Sequence, residues 1–571
     1  MQNPDIAKLF GEVADLLEIQ GANPFRVRAY RTAARTIADL TEPLRDVVTK
    51  GGDLTELPGI GADLAGKVAT IVKTGSLPLH TQLVRQLSPG VLDLLRIPGL
   101  GPKRVKLLRS KLKVKTAADL LKVLDAGKVV KLPGFGAKMA EKIRAGLGRA
   151  ATAERRLPLR IAERHAEALV AWLRDGGDVA AIEVAGSYRR RRETVADLDV
   201  LVTTRAPKNV FERLAAYPDA ATVEASGTTR ATIKLGGGLQ VDVRVVDPPE
   251  YGAALVYFTG SKDHNIELRQ RAIDRGYKLS EYGLFKGERR VAGKTEAEVY
   301  AKLDLPWIPP ELREARGEIA LAEAQKLPRL VTLEDIRGDL QMHSDESDGA
   351  VPVAAMADAA RALGYAYVAI TDHSPRVAMS HLDAKGLRAQ WKRIDRLNRS
   401  FEGCRVLKSV EMDIRENGAL DLPDDVLAEA DYVVATMHYG LSQPERQLTE
   451  RLLGAIANRW VDAIGHPTGR IVGERDSYPL DFDAVARAAA ASGCLLEING
   501  SDRMDLPDTL AIAAKQAGVR FVLSTDSHAT SELRFMRYAV DIARRAGLEA
   551  GDILNTRPVG EFLAGLRRAR M

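Results

Sequence analysis

Seven times between residues 338 and 528 a short apolar run stops at a polar side chain, nearly always a metal-ligand type. The stops are His343, His373, Glu411, His438, His466, Asn499, and Asp526 together with His528. Helical stretches such as VPVAAMADAARALGY and LDFDAVARAAAASG lie between them. Strand and helix in alternation fold as parallel βα units, and closing such units into a barrel gathers the strand C-termini on one rim. A single histidine after a strand is commonly structural. Six of seven ends carrying His, Asp or Glu point instead to a polynuclear metal site.

At 571 residues the chain has room for roughly three to five domains. Its 45% hydrophobic content beside 28% charged residues excludes disorder as the main state. Two cysteines, Cys404 and Cys494, cannot build a disulfide framework and suggest a reducing compartment. The N-terminus reads as an amphipathic helix, and no stretch reaches the roughly 18 apolar residues of a membrane span, so a cytoplasmic protein without membrane contact is expected.

Charge is distributed unevenly. Residues 1–150 hold 25 Lys+Arg against 14 Asp+Glu, net +11, while the remainder is net −5. A basic end suits a polyanion. Three near-repeats punctuate it: LPGIGADLAGKV from Leu57, IPGLGPKRVKLL from Ile97 and LPGFGAKMAEKI from Leu132. In each, two glycines flank one apolar residue before a helical run: Gly59 and Gly61, Gly99 and Gly101, Gly134 and Gly136. Such a turn exposes backbone N–H groups at a helix start and can cradle one phosphate without reading a base.

The middle of the chain carries a second chemical centre. In VAGSYRRRRETVADLDVLVTT, Asp197 and Asp199 are two residues apart on a strand, so both carboxylates share a face. Asp242, between valines in LQVDVRVV, supplies a third from a neighbouring strand. One acidic residue on a strand often only deters aggregation. Three in this spacing suit two divalent cations with oxygen ligands, Mg²⁺ or Mn²⁺. Upstream, Gly186 and Ser187 form a turn followed by Arg189 to Arg192, which suits a triphosphate.

GSYRR with DLD, then QVDVR, YFTGSKDHNIELR and SEYGLF resemble the family X DNA polymerases, and the C-terminal third resembles the polymerase and histidinol phosphatase (PHP) domain. The three basic repeats resemble helix-hairpin-helix motifs. The resemblance covers essentially the whole chain. It implies that Asp197, Asp199 and Asp242 hold two metals, with Asp242 helping to activate the primer 3′-hydroxyl. It places Gly186, Ser187 and Arg190 at the incoming triphosphate, Tyr257, Phe258 and Gly260 at the sugar, and Asn265 with Arg269 beside the nascent pair. In the barrel it implies His343, Asp348, His373, Glu411, His438, His466, Asp526 and His528 as ligands of Zn²⁺ or Mn²⁺, serving 3′–5′ exonuclease or phosphoesterase chemistry.

Three departures stand out. Arg191 occupies a position where the family commonly has Gly, so a loop less able to reach positive φ is expected. The PHP pattern usually opens with His-x-His, whereas this chain reads Gln341-Met342-His343, and Gln is a poor ligand beside imidazole. Lys67 matches the lysine that attacks an abasic sugar in related enzymes, yet Asp63 beside it favours the charged amine and a plain phosphate contact. Tyr30 fits either a 5′-phosphate contact or helix packing. His80, His165, His264 and His381 fit neither metal constellation and read as structural or incidental.

The expected architecture is multidomain α+β and α/β. A helical hairpin-bearing domain spans 1–85, fingers 86–150, a nucleotidyltransferase-type palm 151–250 and a thumb 251–317. A semi-rigid linker over 318–335 leads to a seven-stranded (β/α) PHP barrel over 336–571. The leading function is a monomeric gap-filling DNA polymerase using gapped or primed DNA and dNTPs, with an attached nuclease. A phosphoesterase that only tethers DNA, or a non-catalytic scaffold, are the other classes.

Overall fold

Along the run from Asp197 to Thr204 every second side chain is fully buried, and from Val200 to Val202 all are, which marks a strand covered on both faces. In the computed structural model this run is the centre of a mixed sheet. The structure describes residues 3–570 apart from 41–43, 75, 89, 96, 98, 153–155 and 378–381; His381 lies outside the described residues. The sheet comprises β1 (Val179–Val184), β2 (Asp197–Thr204), β3 (Ala220–Ser226), β4 (Arg230–Leu235) and β5 (Gln240–Val245), in the order β1-β2-β5-β4-β3. Only β2 and β5 run parallel, and their register sets Asp199 opposite Asp242.

This sheet belongs to a compact unit made of residues 1–157, 161–184 and 195–246. In its helical part, Ile6, Phe10, Val13 and Leu17 recur at helical spacing on α1 (Asn3–Gln20) and bury against α2 (Pro24–Asp39). Tyr30 is core: it is 1% exposed and its ring lies 5.5 Å from Phe10, which decides for the packing role. One continuous apolar cluster runs from Ile6 through Leu108 and Phe135 to Leu147, so the two helical segments read as separate from sequence share a core. The hairpins lead into α3 (Ala62–Thr74), α4 (Pro102–Leu112) and α5 (Ala137–Thr152).

The second unit holds residues 158–160, 185–194 and 247–571. It opens with the short helix α6 (Gly186–Arg189). The thumb follows with α7 (Tyr251–Thr259), α8 (Lys262–Asp274) and an antiparallel sheet of β6 (Lys278–Ser280), β7 (Gly283–Lys286) and β8 (Arg289–Ala292). The expected spacer is no spacer. Within 318–335, Ala322 enters the thumb core and Glu318 is buried in an ion pair with His264, so packing fixes this segment.

Seven strands complete the unit: β9 (Gly338–Met342), β10 (Tyr367–Ile370), β11 (Arg405–Asp413), β12 (Tyr432–Thr436), β13 (Ala463–Ile464), β14 (Leu495–Asn499) and β15 (Phe521–Ser524). Each pairs in parallel with the next. The circle is joined just beyond the first and last strands, where Asp526 N donates to Gln341 O at 2.9 Å and His343 N to Ser527 O at 2.8 Å. Helix α9 (Met536–Arg545) follows, and α10 (Val559–Gly565) sets Phe562 against Tyr367 and Tyr432, which begin β10 and β12. That end is plugged, and the ligand-bearing rim is the other.

Candidate active sites

The palm site grows from strand register. Asp197 and Asp199 sit on one face of β2, and β5 brings Asp242 level with Asp199. Asp242 is 5% exposed, and its Oδ1 accepts from Arg230 Nη2 at 2.9 Å while its Oδ2 accepts from Gln240 Nε2 at 3.0 Å. Burial alone would raise its pKa; hydrogen bonds from Thr232, Arg230 and Gln240 outweigh burial and hold it below the ordinary carboxylate value. Asp199 behaves oppositely: burial, then the Asp197 charge, push it up to about 6. A carboxylate whose ionisation is opposed by burial and by a neighbouring charge marks a cluster that divalent cations would relieve. The residues fit that group.

In the second unit, Gly186 (φ +64°) and Ser187 begin α6. Arg190 lies in the same loop, but its Nε contacts Glu314 Oε1 at 3.0 Å and its Nη1 donates to Thr259 O at 2.5 Å. Contrary to the expectation for a β-branch-free but non-glycine residue, Arg191 does reach positive φ, at +54°. The physical reason is compensation: its guanidinium contacts Asp541 Oδ2 at 2.7 and 2.9 Å and lies over the Tyr188 ring. On the thumb, Tyr257 and Phe258 meet edge to face with centroids 5.0 Å apart. Asn265 Nδ2 donates to Tyr257 O at 2.7 Å, leaving its buried Oδ1 without a hydrogen-bond partner, and Arg269 Nε donates to Asn265 O. Tyr257, Asn265 and Arg269 line one shallow groove; Gly260 follows α7 at φ +66°.

The barrel rim brings all eight predicted ligands together. Glu411 is the hub: its Oε2 lies 3.0 Å from His373 Nδ1 and 3.4 Å from His343 Nε2, and its Oε1 lies 3.0 Å from His466 Nε2 and 3.3 Å from His438 Nε2. Asp348 Oδ2 is 3.3 Å from both His373 and His528, and Asp526 Oδ1 is 3.2 Å from His343. Three overlapping groups offer ligand atoms within 4.8 Å of one another: His343 with Asp348, His373 and His528; His373 with Glu411 and His438; His343 with Glu411 and Asp526. Burial pulls the His373 pKa down, but the Glu411 and Asp348 carboxylates outweigh it and hold it well above the usual value. His528 is pushed up to about 9 by Asp348 and Asp526 against the same burial. Imidazoles held between carboxylates in this way mark positions that cations fit, and His466 Nδ1 is buried without a hydrogen-bond partner. Gln341 stands in the same cluster, its Nε2 3.4 Å from Asp526 Oδ1 and its buried Oε1 unpartnered.

Sequence reasoning missed the residues that orient these ligands. Asp413 accepts from His438 N at 3.0 Å, Glu497 from His466 N at 2.6 Å, and Arg503 Nε reaches Asp526 Oδ2 at 3.3 Å. Asp413 was accessible to reasoning, since it follows Glu411 by two on one strand; Arg503 comes from a loop and carries no periodic signal.

The hairpins repeat one geometry. Ile60, Leu100 and Phe135 are each at most 2% exposed, and their N–H groups donate to Leu57, Ile97 and Leu132 carbonyls at 3.0, 2.9 and 3.1 Å. The first glycine of each pair has φ between +73° and +90°. A side-chain carbon at Gly61, Gly101 or Gly136 would meet nothing within 4 Å, so these backbones are open to approach. Lys67 is paired with Asp63, its Nζ 5.8 Å from the Tyr30 ring centre. The remaining histidines are placed as packing groups: His264 is fully buried between Glu318 at 2.6 Å and Tyr300 at 2.9 Å, His165 is buried, and His80 meets Glu12 at 2.8 Å.

Family models match four stretches: a helix-hairpin-helix domain at residues 1–77, a SAM-like helix-hairpin-helix tandem at 91–149, the DNA polymerase beta thumb at 254–314 and the PHP domain at 339–501. The chain is similar to the DNA polymerase/3′-5′ exonuclease PolX of Bacillus subtilis (strain 168), 38% identical over 575 residues covering 100% of both chains. Its C-terminal part is similar to a probable phosphatase of Thermoanaerobacter sp. (strain X514), 31% identical over 34% of this chain and 79% of that protein. A probable phosphatase of Shewanella loihica is 34% identical over 36% of this chain and 83% of that protein. Full-length similarity at this level, with hairpin, thumb and PHP segments in one order, makes the chain a member of the PolX group of family X DNA polymerases that carry a C-terminal PHP domain.

Proposed function

We propose that the chain fills short gaps in DNA from dNTPs at the palm and removes 3′-terminal nucleotides at the barrel rim. The observation that carries the polymerase reading is the register of Asp199 with Asp242 beside Asp197, which concentrates three carboxylates on two adjacent strands. Asp197, Asp199 and Asp242 would hold two divalent cations, Mg²⁺ or Mn²⁺, which when bound supply charge neutralisation at the reacting phosphate and ease loss of the primer hydroxyl proton. The protein's own part is positional. Thr232, Arg230 and Gln240 keep Asp242 ionised and aimed. Gly186, Ser187 and Arg190 are assigned to the triphosphate, Tyr257, Phe258 and Gly260 to the sugar, and Asn265 and Arg269 to the base-pair edge. The orphaned Asn265 Oδ1 has an acceptor to offer there.

At the rim, His343, Asp348, His373, Glu411, His438, His466, Asp526 and His528 would hold Zn²⁺ or Mn²⁺, favoured by imidazole-rich ligation. Asp413 and Glu497 fix the backbones of His438 and His466, and Arg503 adds positive charge that suits a phosphodiester. The six hairpin glycines Gly59, Gly61, Gly99, Gly101, Gly134 and Gly136 are assigned to DNA phosphates, and Lys67 to charge contact with the same backbone. A monomer acting on gapped or primed DNA in the cytoplasm accords with the two free cysteines; no described helix is long and apolar enough to cross a membrane. The test is one assay on 5′-labelled gapped DNA with Mg²⁺ or Mn²⁺, with and without dNTPs. Extension with dNTPs and shortening without them are expected; absence of extension in both metals removes the polymerase reading.

A further inference from the structure

The loop assigned to the triphosphate is fastened to the barrel domain. Residues 185–194 fall in the same compact unit as the barrel, and helix α9, which follows the last rim ligands, packs on the loop. Two side chains of α9 make the contact. Asp541 Oδ2 accepts from Arg191 Nη2 at 2.7 Å and Nε at 2.9 Å. Arg545 Nη1 donates to the Arg190 carbonyl at 2.7 Å and to Glu314 at 3.0 Å, while its Nη2 reaches Asp508 at 2.6 Å. Glu314 in turn takes Arg190 at 3.0 Å and Arg192 at 3.4 Å. These pairs are sheltered: side-chain exposure is 16% for Arg191, 11% for Asp541 and 4% for Arg545. Sheltered, charge-assisted contacts of this length fix a backbone far better than exposed ones.

Arg191 is where the need arises. At φ +54° it occupies the left-handed region, which glycine enters freely and other residues resist. A loop with glycine there could hold its shape unaided. With arginine, the strained turn persists only where surrounding contacts over-determine it, and the paired carboxylate among them, Asp541, comes from α9.

We propose that Asp541 is a positioning residue for the nucleotide: the barrel domain, through Asp541 and Arg191, holds residues 186–192 in the conformation that receives the triphosphate. This rests on the assignment of that loop to the triphosphate. Asp541 touches no substrate and takes no part in nucleotide transfer. Its removal lets the loop relax, so nucleotide affinity falls while the chemistry of bound nucleotide persists.

The experiment measures steady-state gap filling by the full chain, comparing the wild type with Asp541→Ala, the isosteric Asp541→Asn, and both changes in an Arg191→Gly background. Expected are a rise in dNTP KM of about tenfold for either Asp541 variant, kcat within about twofold, and unchanged 3′-end degradation, which also reports an intact barrel. With glycine at 191 both the strain and the Asp541 contact are gone, so changing Asp541 should then move KM by less than about twofold; a role for Asp541 that does not run through Arg191 would raise KM equally in both backgrounds. Unchanged KM in Asp541→Asn, or an equal KM rise in both backgrounds, overturns the proposal. A wild-type chain that extends no primer would instead overturn the polymerase assignment on which it rests, and a normal wild-type KM with unresponsive variants overturns the anchor alone.

Discussion

Replacing Glu296 by glutamine should destabilise the thumb by about 3 kcal/mol at neutral pH, through loss of one buried carboxylate. Glu296 is 7% exposed and is shared by Arg189, at 2.8 and 2.9 Å, Arg313 at 2.7 Å and the Trp307 indole at 2.9 Å. Burial opposes its ionisation, but the Arg313 and Arg189 charges outweigh burial and hold its pKa down to about 2, against an ordinary 4.5. A gap of that size, at about 1.4 kcal/mol per unit, corresponds to about 3 kcal/mol of folded-state preference for the charged form. An independent route gives a similar figure: Arg313 is fully buried, and leaving a buried charge without its partner costs roughly 3 to 5 kcal/mol. Because the folded pKa is depressed, the contribution is complete above about pH 4.5 and disappears as pH falls towards 2. The assay is urea unfolding followed by Trp307 fluorescence, in a chain whose Trp172, Trp391 and Trp460 are Phe. A loss below about 1 kcal/mol at pH 7, or a difference between native and variant that does not shrink below pH 4.5, refutes the reasoning.

Gly101→Val should weaken binding to every DNA sequence alike and lower the slope of log affinity against log salt by about one, because one phosphate contact is blocked. Gly101 has φ −76° with open space beside it, so the substitution adds no strain, and a sequence-selective loss in a binding titration would refute the backbone reading. Gln341→His should raise the Zn²⁺ or Mn²⁺ content of the full chain by up to one ion, since imidazole replaces a neutral amide beside Asp526. Unchanged content by elemental analysis would show that residue 341 is no part of the ligand set.

How much was legible follows from range. The barrel was readable because each unit carries its own local pattern, an apolar run closed by a ligand and followed by a helical stretch. The aspartate cluster was readable because alternation fixes which residues share a face of β2. The hairpins were readable because their glycines recur. What stayed hidden arises between segments distant in sequence. Nothing near Arg191 announces Asp541, 350 positions on. The segment 318–335 looked like a spacer because the partners that bury Glu318 and Ala322, namely His264 and the apolar core of the thumb, lie outside that stretch. Tyr30 could be assigned only once Phe10 was seen against it.

The central claim is that one chain carries two separate metal-dependent chemistries, extension at Asp197, Asp199 and Asp242 and degradation at the rim around Glu411. The direct measurement is a labelled gapped-DNA assay scoring both outcomes for Asp242→Ala and His373→Ala at equal DNA occupancy. Asp242→Ala should lose extension while keeping 3′-end removal, and His373→Ala should lose 3′-end removal while keeping Mg²⁺-dependent extension. If either substitution abolishes both activities, or His373→Ala leaves degradation intact, the account of two independent centres is contradicted.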